Sequence, residues 1–363
     1  MTDRGAVVHF VVPAGIDDPK RPSGGNVYDR RLCEELPRWG WHVHEHPAAG
    51  TWPTPDEWDR DRLNTLLAEL PDDSLVLVDG LIASAAEMLV DSARRVRIVV
   101  LLHMPLAEAS SVEAAERVEA AVLNAAAAVI TTSKWAGHWV VSHLGVDADR
   151  VWTAVPGVDS AQPARGTASG GNLLCAGPVT PAKGHDVLIA ALAKVADLDW
   201  HCTCAGALDL DPAFVESLTT AATRAGVADR FVLTGPLSRP ALTELRSRTD
   251  LLISPSRRES YGMAVTEGLV CGIPVIATDV GGHREAVGQA SDRTLPGMLL
   301  SADDADGLAD ALRTWLTDPG VRARWRTSAG LRIRDLTGWP ETARAVAAVL
   351  QQIAKPDDAP PRF

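Results

Sequence analysis

The sequence predicts an α/β protein made of two Rossmann-like, doubly wound domains in tandem. Three observations predict it. Six short apolar, β-branched runs alternate with longer amphipathic segments over residues 1–158. A Gly-, Ala-, Ser- and Pro-rich stretch without periodicity follows, and then the same rhythm restarts with six more runs. The chain has 363 residues, room for two domains of about 150 residues each.

In the first half the expected strands are Val7–Val12, Trp41–His46, Leu75–Val78, Val96–Leu102, Ala128–Thr131 and Val151–Val155, with helices at Asn26–Trp39, Asp56–Leu70 and Val112–Ala126. The strand runs show no clean polar alternation and are separated by helices, which is the pattern of a parallel sheet covered on both faces. Residues 159–171 (DSAQPARGTASGG) read as an interdomain linker. Beyond it, strands are expected at Asn172–Ala176, Trp200–Ala205, Phe231–Leu233, Leu251–Ser254, Pro274–Thr278 and Met298–Leu300. Helices are expected at His185–Val195, Asp211–Ala225, Met263–Cys271, Asp303–Thr317, Gly320–Arg334 and Glu341–Ile353. The resulting division is an N-terminal domain over 1–158, a linker over 159–171, a C-terminal domain over 172–335, a helix over 336–354 that packs back on the N-terminal domain, and a frayed tail over 355–363. Open parallel sheets bind ligands at the carboxyl ends of their strands, so two such domains point to a shared cleft.

Composition narrows the function. The hydrophobic fraction of 46% excludes a mostly disordered chain. With 35 Lys and Arg against 47 Asp and Glu, the net charge is −12, which argues against nonspecific nucleic-acid binding. No apolar run reaches the ~20 residues of a membrane span. The N-terminal MTDRGAVVHFVVPAG reads as a first strand and not as a signal peptide, and five cysteines fit reduced, buried thiols, so a cytoplasmic location is expected. The basic stretch Val321–Arg334 is the clearest candidate for peripheral membrane contact, which nothing else indicates. His42, His44 and His46 share one face of a strand but lack accompanying carboxylates or cysteines, and Cys202 and Cys204 read as core packing.

The densest chemical signal is Ser254–Val287, SPSRRESYGMAVTEGLVCGIPVIATDVGGHREAV. A loop after the strand Leu251–Ser254 carries Glu259, and a helix opening at Gly262 carries Glu267. Backbone N–H groups at Gly262, Met263 and Ala264 suit a phosphate or a sugar hydroxyl. Glu267 can accept two hydrogen bonds from a vicinal diol such as ribose, and Glu259 can hold a second polyol. A largely helical stretch would separate the two carboxylates by ~10 Å, which fits two ends of one long ligand.

This segment resembles the retaining glycosyltransferases of the GT-B fold often called family 4. Their E-x7-E motif corresponds to Glu259–Glu267, their G-x-P-V-I-A run to Gly272–Ala277, and their Gly-Gly turn to Gly281–Gly282 before Glu285. The resemblance implies that Glu267 binds the nucleotide ribose, that Glu259 binds donor-sugar hydroxyls, and that Gly262 and Met263 offer N–H groups to the donor. Leu173–Leu188 (LLCAGPVTPAKGHDVL) resembles the family's diphosphate turn, with Gly177 and Lys183–Gly184 at the matching spacing. Lys183 would offset charge on the leaving diphosphate. Pro178 stands where the family usually has Arg, and Arg257 or Arg258 is a candidate replacement cation. Gly24–Gly25 resemble the family's N-terminal glycine turn, which makes Gly25 a donor-contact candidate, and His103 ends a strand where the family often places a His near the donor sugar. Thr132–Ser133 precede a helix, with Ser133 as its N-cap.

Taken together, the resemblance implies a bacterial enzyme that moves a sugar from a nucleotide-diphospho-sugar to an acceptor hydroxyl or amine with retention, aided by His103, Glu259 and Lys183. None of the chain's Asp-x-Asp pairs is read as a site for a nucleotide-bound metal, which enzymes of the GT-B fold generally dispense with, and no metal or other cofactor is expected. The acceptor is unassigned. A sugar phosphorylase, a nucleotide-sugar epimerase or hydrolase, and a catalytically silent nucleotide-sugar-binding protein are the competing readings.

Overall fold

The computed structural model describes residues 6–18, 23–109 and 113–354. The tail expected over 355–363 lies outside them. The described residues divide into two compact units, one holding residues 6–18, 23–109, 113–157 and 337–354, the other residues 158–336.

The first unit carries six parallel strands: β1 (Ala6–Pro13), β2 (Trp41–Ala48), β3 (Leu75–Asp79), β4 (Arg97–Leu102), β5 (Ala128–Thr131) and β6 (Val151–Thr153), in the order β2-β1-β3-β4-β5-β6. Strands β3, β4 and β5 are buried on both faces apart from the partly exposed Arg97. That is why their sequences are continuous apolar runs without alternation. Val76, Val78, Ile98, Val100 and Val129 pack with Leu63 and Leu67 of the helix Glu57–Glu69 and Val122 and Leu123 of the helix Glu113–Ala125.

The second unit carries β7 (Asn172–Ala176), β8 (His201–Ala205), β9 (Phe231–Gly235), β10 (Leu251–Ser254), β11 (Val275–Thr278) and β12 (Gly297–Leu300). They form one parallel sheet in the order β12-β11-β10-β7-β8-β9. Its core joins Leu173, Cys202 and Ile253 to Leu188 and Leu192 of the helix His185–Lys194 and to Leu312 and Trp315 of the helix Ala305–Thr317. All twelve expected strands are present, and their ends move by no more than two residues.

Both sheets reverse their strand order once, between β1 and β3 in the first unit and between β7 and β10 in the second. Chain connections leave such a point in opposite directions, which opens a crevice at the strand carboxyl ends.

Two features depart from the sequence reading. Residues 159–171, expected to be a linker, are fastened to the second unit. Fully buried Asp250 accepts hydrogen bonds from Thr167 N (2.5 Å), Thr167 Oγ1 (2.6 Å), Asn172 N (2.9 Å) and Arg326 Nη2 (2.7 Å). The indole of Trp315 donates to Gly170 O at 2.8 Å. These partners are remote in sequence, so composition alone showed only the lack of periodicity. The second departure is the helix Arg239–Arg248, which went unread because none of its residues is buried and its apolar period is weak. Its start signal is present: Ser238 Oγ accepts from Ala241 N, and Pro240 stands in the first turn.

The helix Trp339–Ile353 belongs to the first unit and starts two residues before the expected Glu341. Its Trp339 is 5% exposed and meets the Tyr28 ring edge-on, centroids 5.6 Å apart. Thr342 Oγ1 donates to Val155 O at 2.8 Å.

Candidate functional site

In the second unit, the loops leaving β7 and β10 flank the strand-order reversal. The β7 loop holds Gly177 and Lys183, and the β10 loop holds Glu259. The two loops meet: Lys183 Nζ lies 2.6 Å from Glu259 Oε2. The loops are also stitched through Arg257 N, which donates to Ala182 O at 2.8 Å. Ser256 Oγ donates to the same carboxylate oxygen at 3.4 Å. Buried His283 stands behind it, with Nε2 3.7 Å from Glu259 Oε2 and 3.2 Å from Ser254 Oγ, and Nδ1 2.9 Å from Thr278 O. With Nδ1 donating to that carbonyl, Nε2 is left as the acceptor in the neutral ring.

The electrostatics follow from this arrangement. Burial would raise the Glu259 carboxyl, but the adjacent Lys183 ammonium, the largest opposing influence, pulls it below its ordinary value. Burial lowers His283, against the smaller opposing pull of Glu259. Glu259 therefore stays ionised beside a neutral imidazole. One of its oxygens is anchored by Lys183, while Oε1 has no hydrogen-bond partner among the described residues.

Glu267 is built the same way. It lies on the helix Met263–Leu269, with one oxygen paired to Arg246 of the helix Arg239–Arg248 and Oε1 unpartnered among the described residues. Burial raises its carboxyl, opposed by Arg246 and Arg239. Gly262 makes the sharp entry into this helix. Its φ is 107°, and a Cβ there would stand 2.7 Å from His283 Cδ2, so a larger residue would be both strained and crowded. No side chain caps the helix, which leaves Met263 at an uncapped start. Residues 259–262 are not helical, so the stretch between the two Glu residues is only partly helix.

Arg257 is not a spare cation. Its guanidinium is fixed by Asp186 (2.7 and 2.9 Å), Asp303 (2.6 Å) and Pro181 O (2.6 Å). That corrects its candidacy as a replacement for the Arg missing at Pro178. Arg258 makes no ion pair among the described residues.

In the first unit, three residues gather at the other strand-order reversal. Asp79 ends β3, Asp29 lies on the helix Gly24–Glu35 that follows β1, and His103 follows β4. His103 Nε2 is 2.8 Å from Asp29 Oδ1 and 3.2 Å from Asp79 Oδ2. Gly25 lies against this imidazole, where a Cβ would come within 3.1 Å of His103 Cδ2. Asp79 Oδ1 also accepts from Leu81 N at 2.7 Å. Ser133 caps the following helix through Ala136 N at 3.0 Å.

Sequence reasoning had His103, Lys183, Glu259 and Glu267, but missed Asp29, Asp79, Arg246 and His283 as their partners. The only local signals were Asp29 four residues after Gly25 on a helix and His283 directly after the Gly281–Gly282 turn. Among the described residues, two sets of side chains could hold a metal on geometry, each with donor atoms within 4.8 Å of one another: Asp29, Asp79 and His103, and buried Cys175, His185 and Cys204. No helix among the described residues is long and apolar enough to cross a membrane.

Comparison with known proteins bears on this geometry. Residues 170–332 match the family described as Glycosyl transferases group 1. The D-inositol 3-phosphate glycosyltransferase of Xylanimonas cellulosilytica is 31% identical over 254 residues, which cover 65% of this chain and 60% of the relative. The lipopolysaccharide core biosynthesis mannosyltransferase LpsB of Rhizobium meliloti is 29% identical over 184 residues, 50% of this chain and 51% of the relative. This chain spans about 60% of the length of such inositol-phosphate relatives. Among solved structures, sucrose-phosphate synthase from Thermosynechococcus elongatus aligns with a TM-score of 0.79 at 20% identity, covering 96% of this chain and 99% of that one. Anabaena HepE in complex with UDP and glucose aligns at 0.76 and 18%, covering 96% and 100%. These alignments establish the fold, two parallel six-stranded sheets with interleaved helices of the GT-B type. Residues 170–332, the stretch that matches the group 1 glycosyltransferases, contain the Lys183–Glu259 pair.

Proposed function

We propose that the protein transfers a sugar from a nucleotide-diphospho-sugar to an acceptor hydroxyl or amine, with retention at the anomeric carbon. The observation that carries the reading is the Lys183–Glu259 pair at the strand-order reversal of the second unit, inside the segment that matches the family. HepE, a fold neighbour, is solved with UDP and glucose, which supports a nucleotide-sugar donor.

Two of the assigned roles use carboxylate oxygens that have no partner among the described residues. Glu267 Oε1 accepts from the ribose, and Glu259 Oε1 accepts from a hydroxyl of the donor sugar. Gly262 and Met263 offer backbone N–H groups, and Gly177 and Gly25 let the backbone approach the donor closely. Lys183 offsets the charge that grows on the diphosphate as the anomeric C–O bond breaks. The acceptor's proton passes to the departing phosphate oxygen as the new glycosidic bond forms. His103 orients the sugar. An ammonium at the diphosphate does the work a metal ion does elsewhere, so the donor site runs without one.

A thermal-shift screen of UDP, GDP and ADP and their sugar conjugates tests the reading, because a ligand that binds only the native state raises its stability. One nucleotide should raise the melting temperature in the parent and fail to do so in Glu267→Ala. No shift with any of them would overturn the proposal.

A further inference from the structure

Beneath the turn that carries Lys183, the second unit gathers sulfur and nitrogen donors that the proposed reaction does not use. Cys175 on β7 and Cys204 on β8 are register partners, so their side chains stand side by side on one face of the sheet. His185 opens the helix His185–Lys194 on that face and brings Nε2 to 3.6 Å from Cys175 Sγ. The donor atoms of all three residues lie within 4.8 Å of one another. Each residue is buried, and the two cysteines belong to the same core as Val179, Val187 and Leu188.

Two observations speak for more than packing. A cysteine can fill a core as a small apolar residue, but a buried imidazole needs partners for its polar atoms. His185 Nδ1 has none among the described residues, so the ring engages its surroundings only through Nε2 and the sulfur pair, and a thiol is a weak hydrogen-bond partner. The spacing also suits a shared ion. Bonds of ~2.3 Å to sulfur and ~2.0 Å to nitrogen, meeting at a tetrahedral angle, set the two atoms ~3.5 Å apart. Cys175 and His185 bracket the turn holding Gly177, Lys183 and Gly184. Gly184 has φ 67°, and a Cβ there would stand 2.0 Å from Pro255 O, so the turn lies hard against the β10 loop and delivers His185 to a fixed place.

We propose that Cys175, Cys204 and His185 hold a structural Zn²⁺, with buried Cys202, two residues before Cys204 on the same strand face, as the fourth ligand. Each coordinating thiol gives its proton to solvent as its S–Zn bond forms, and His185 binds through the Nε2 lone pair while Nδ1 keeps the ring's N–H. Nothing is oxidised or reduced. The ion ties both ends of the Lys183 turn to β8 and takes no part in the sugar transfer, so the proposal stands apart from that reaction.

Cobalt(II) tests it, because thiolate ligation gives a sulfur-to-cobalt charge-transfer band in the near ultraviolet that oxygen and nitrogen ligands do not. The full chain, unfolded with a chelator and refolded under reductant with one equivalent of Co²⁺, should bind one ion, show the band and lose it to one equivalent of Zn²⁺. A refolded chain that binds no Co²⁺, or binds it without the band through donors such as Asp29, Asp79 and His103, overturns the proposal. In Cys175→Ser and Cys204→Ser the band should weaken and the affinity for Co²⁺ should fall at least about tenfold. A variant that keeps both overturns it. If neither variant folds, Cys33→Ser and Cys271→Ser decide: both should keep the band, and its loss with either places the metal elsewhere and overturns the proposal. Stability is the second readout. Zn²⁺ should raise the melting temperature of the second unit and excess chelator should reverse the rise, since an ion held only by the folded ligands stabilises the fold. A melting temperature that responds to neither overturns the proposal.

Discussion

The two units solve the same topological problem with opposite electrostatics. Each places an ionic cluster where its strand order reverses, from the loops or helices that follow the two central strands. In the second unit one carboxylate, Glu259, is held ionised by an ammonium, and the nearby His283 is kept neutral by burial. In the first unit two carboxylates crowd one imidazole, so the imidazole takes the charge and one acid keeps its proton. The lesson is that a shared fold fixes where a site lies, while the count of acids against cations fixes its protonation.

The largest test of the comparison concerns how each unit is closed. The first unit depends on a helix from the far end of the chain, anchored by Trp339. Trp339→Ala should cost ~3–5 kcal/mol, as other large-to-small core truncations do. In calorimetry the transition of the first unit should move and that of the second should not. Equal shifts in both would break the division into two units.

Next comes the second unit's cluster. Lys183→Ala should lower kcat by about 10²–10³, the scale for removing one preorganised electrostatic stabiliser. It should also release Glu259 towards an ordinary or raised carboxyl, because burial is then unopposed by its nearest cation. Turnover within threefold of the parent would remove Lys183 from the reaction. Glu267→Ala is smaller and of a different kind, roughly a tenfold rise in donor KM, about one charge-assisted hydrogen bond. A fall in kcat with unchanged KM would reverse the roles assigned to Glu259 and Glu267.

The pH dependence of stability sharpens the contrast with opposite signs. His103 is raised from 6.5 to about 10, so its contribution is complete below pH 6.5 and is lost as pH climbs towards 10. The raised Asp29 carboxyl works in the same direction, since it must ionise unfavourably as pH rises. In the second unit, Glu259 is lowered from 4.5, so its stabilisation is present above pH 4.5 and is lost as pH falls through the folded value. The lowered His283 costs stability as pH falls below 6.5, where the unfolded chain takes up the proton first. The first unit's transition should thus fall between pH 7 and 10, where the second's should hold, while below pH 6.5 both should fall, because burial lowers His9 and His46 in the first unit as it lowers His283 in the second. Transitions that move together between pH 7 and 10 would end the comparison. The smallest effect is expected at Arg257, whose guanidinium is bound within the fold by Asp186 and Asp303. Arg257→Ala should leave donor KM within about twofold, and a tenfold rise would return it to the donor site.

The twelve strands could be read because parallel strands buried on both faces must be apolar throughout, and that demand is written into consecutive residues. Lys183, Glu259 and Glu267, the residues proposed for the donor site, could be read because their spacing lies within single strand–loop–helix segments. Their partners could not. Arg246 comes from a helix with no fully buried residue, Asp250 fastens a segment some 80 residues earlier, and Asp29 and Asp79 reach His103 from two other elements. None of these pairings leaves a periodic trace.

By itself, then, the sequence determined the layer pattern, the break between two sheets and which loops carry ionisable groups, since all of these follow from local burial and backbone propensity. Only the tertiary structure decided which charges meet, that residues 159–171 are held by Asp250, and that the last helix returns to the first unit. Those outcomes depend on Coulomb and hydrogen-bond contacts a few ångströms long between residues far apart in the chain, and they exist only once the sheets bring their strand ends together.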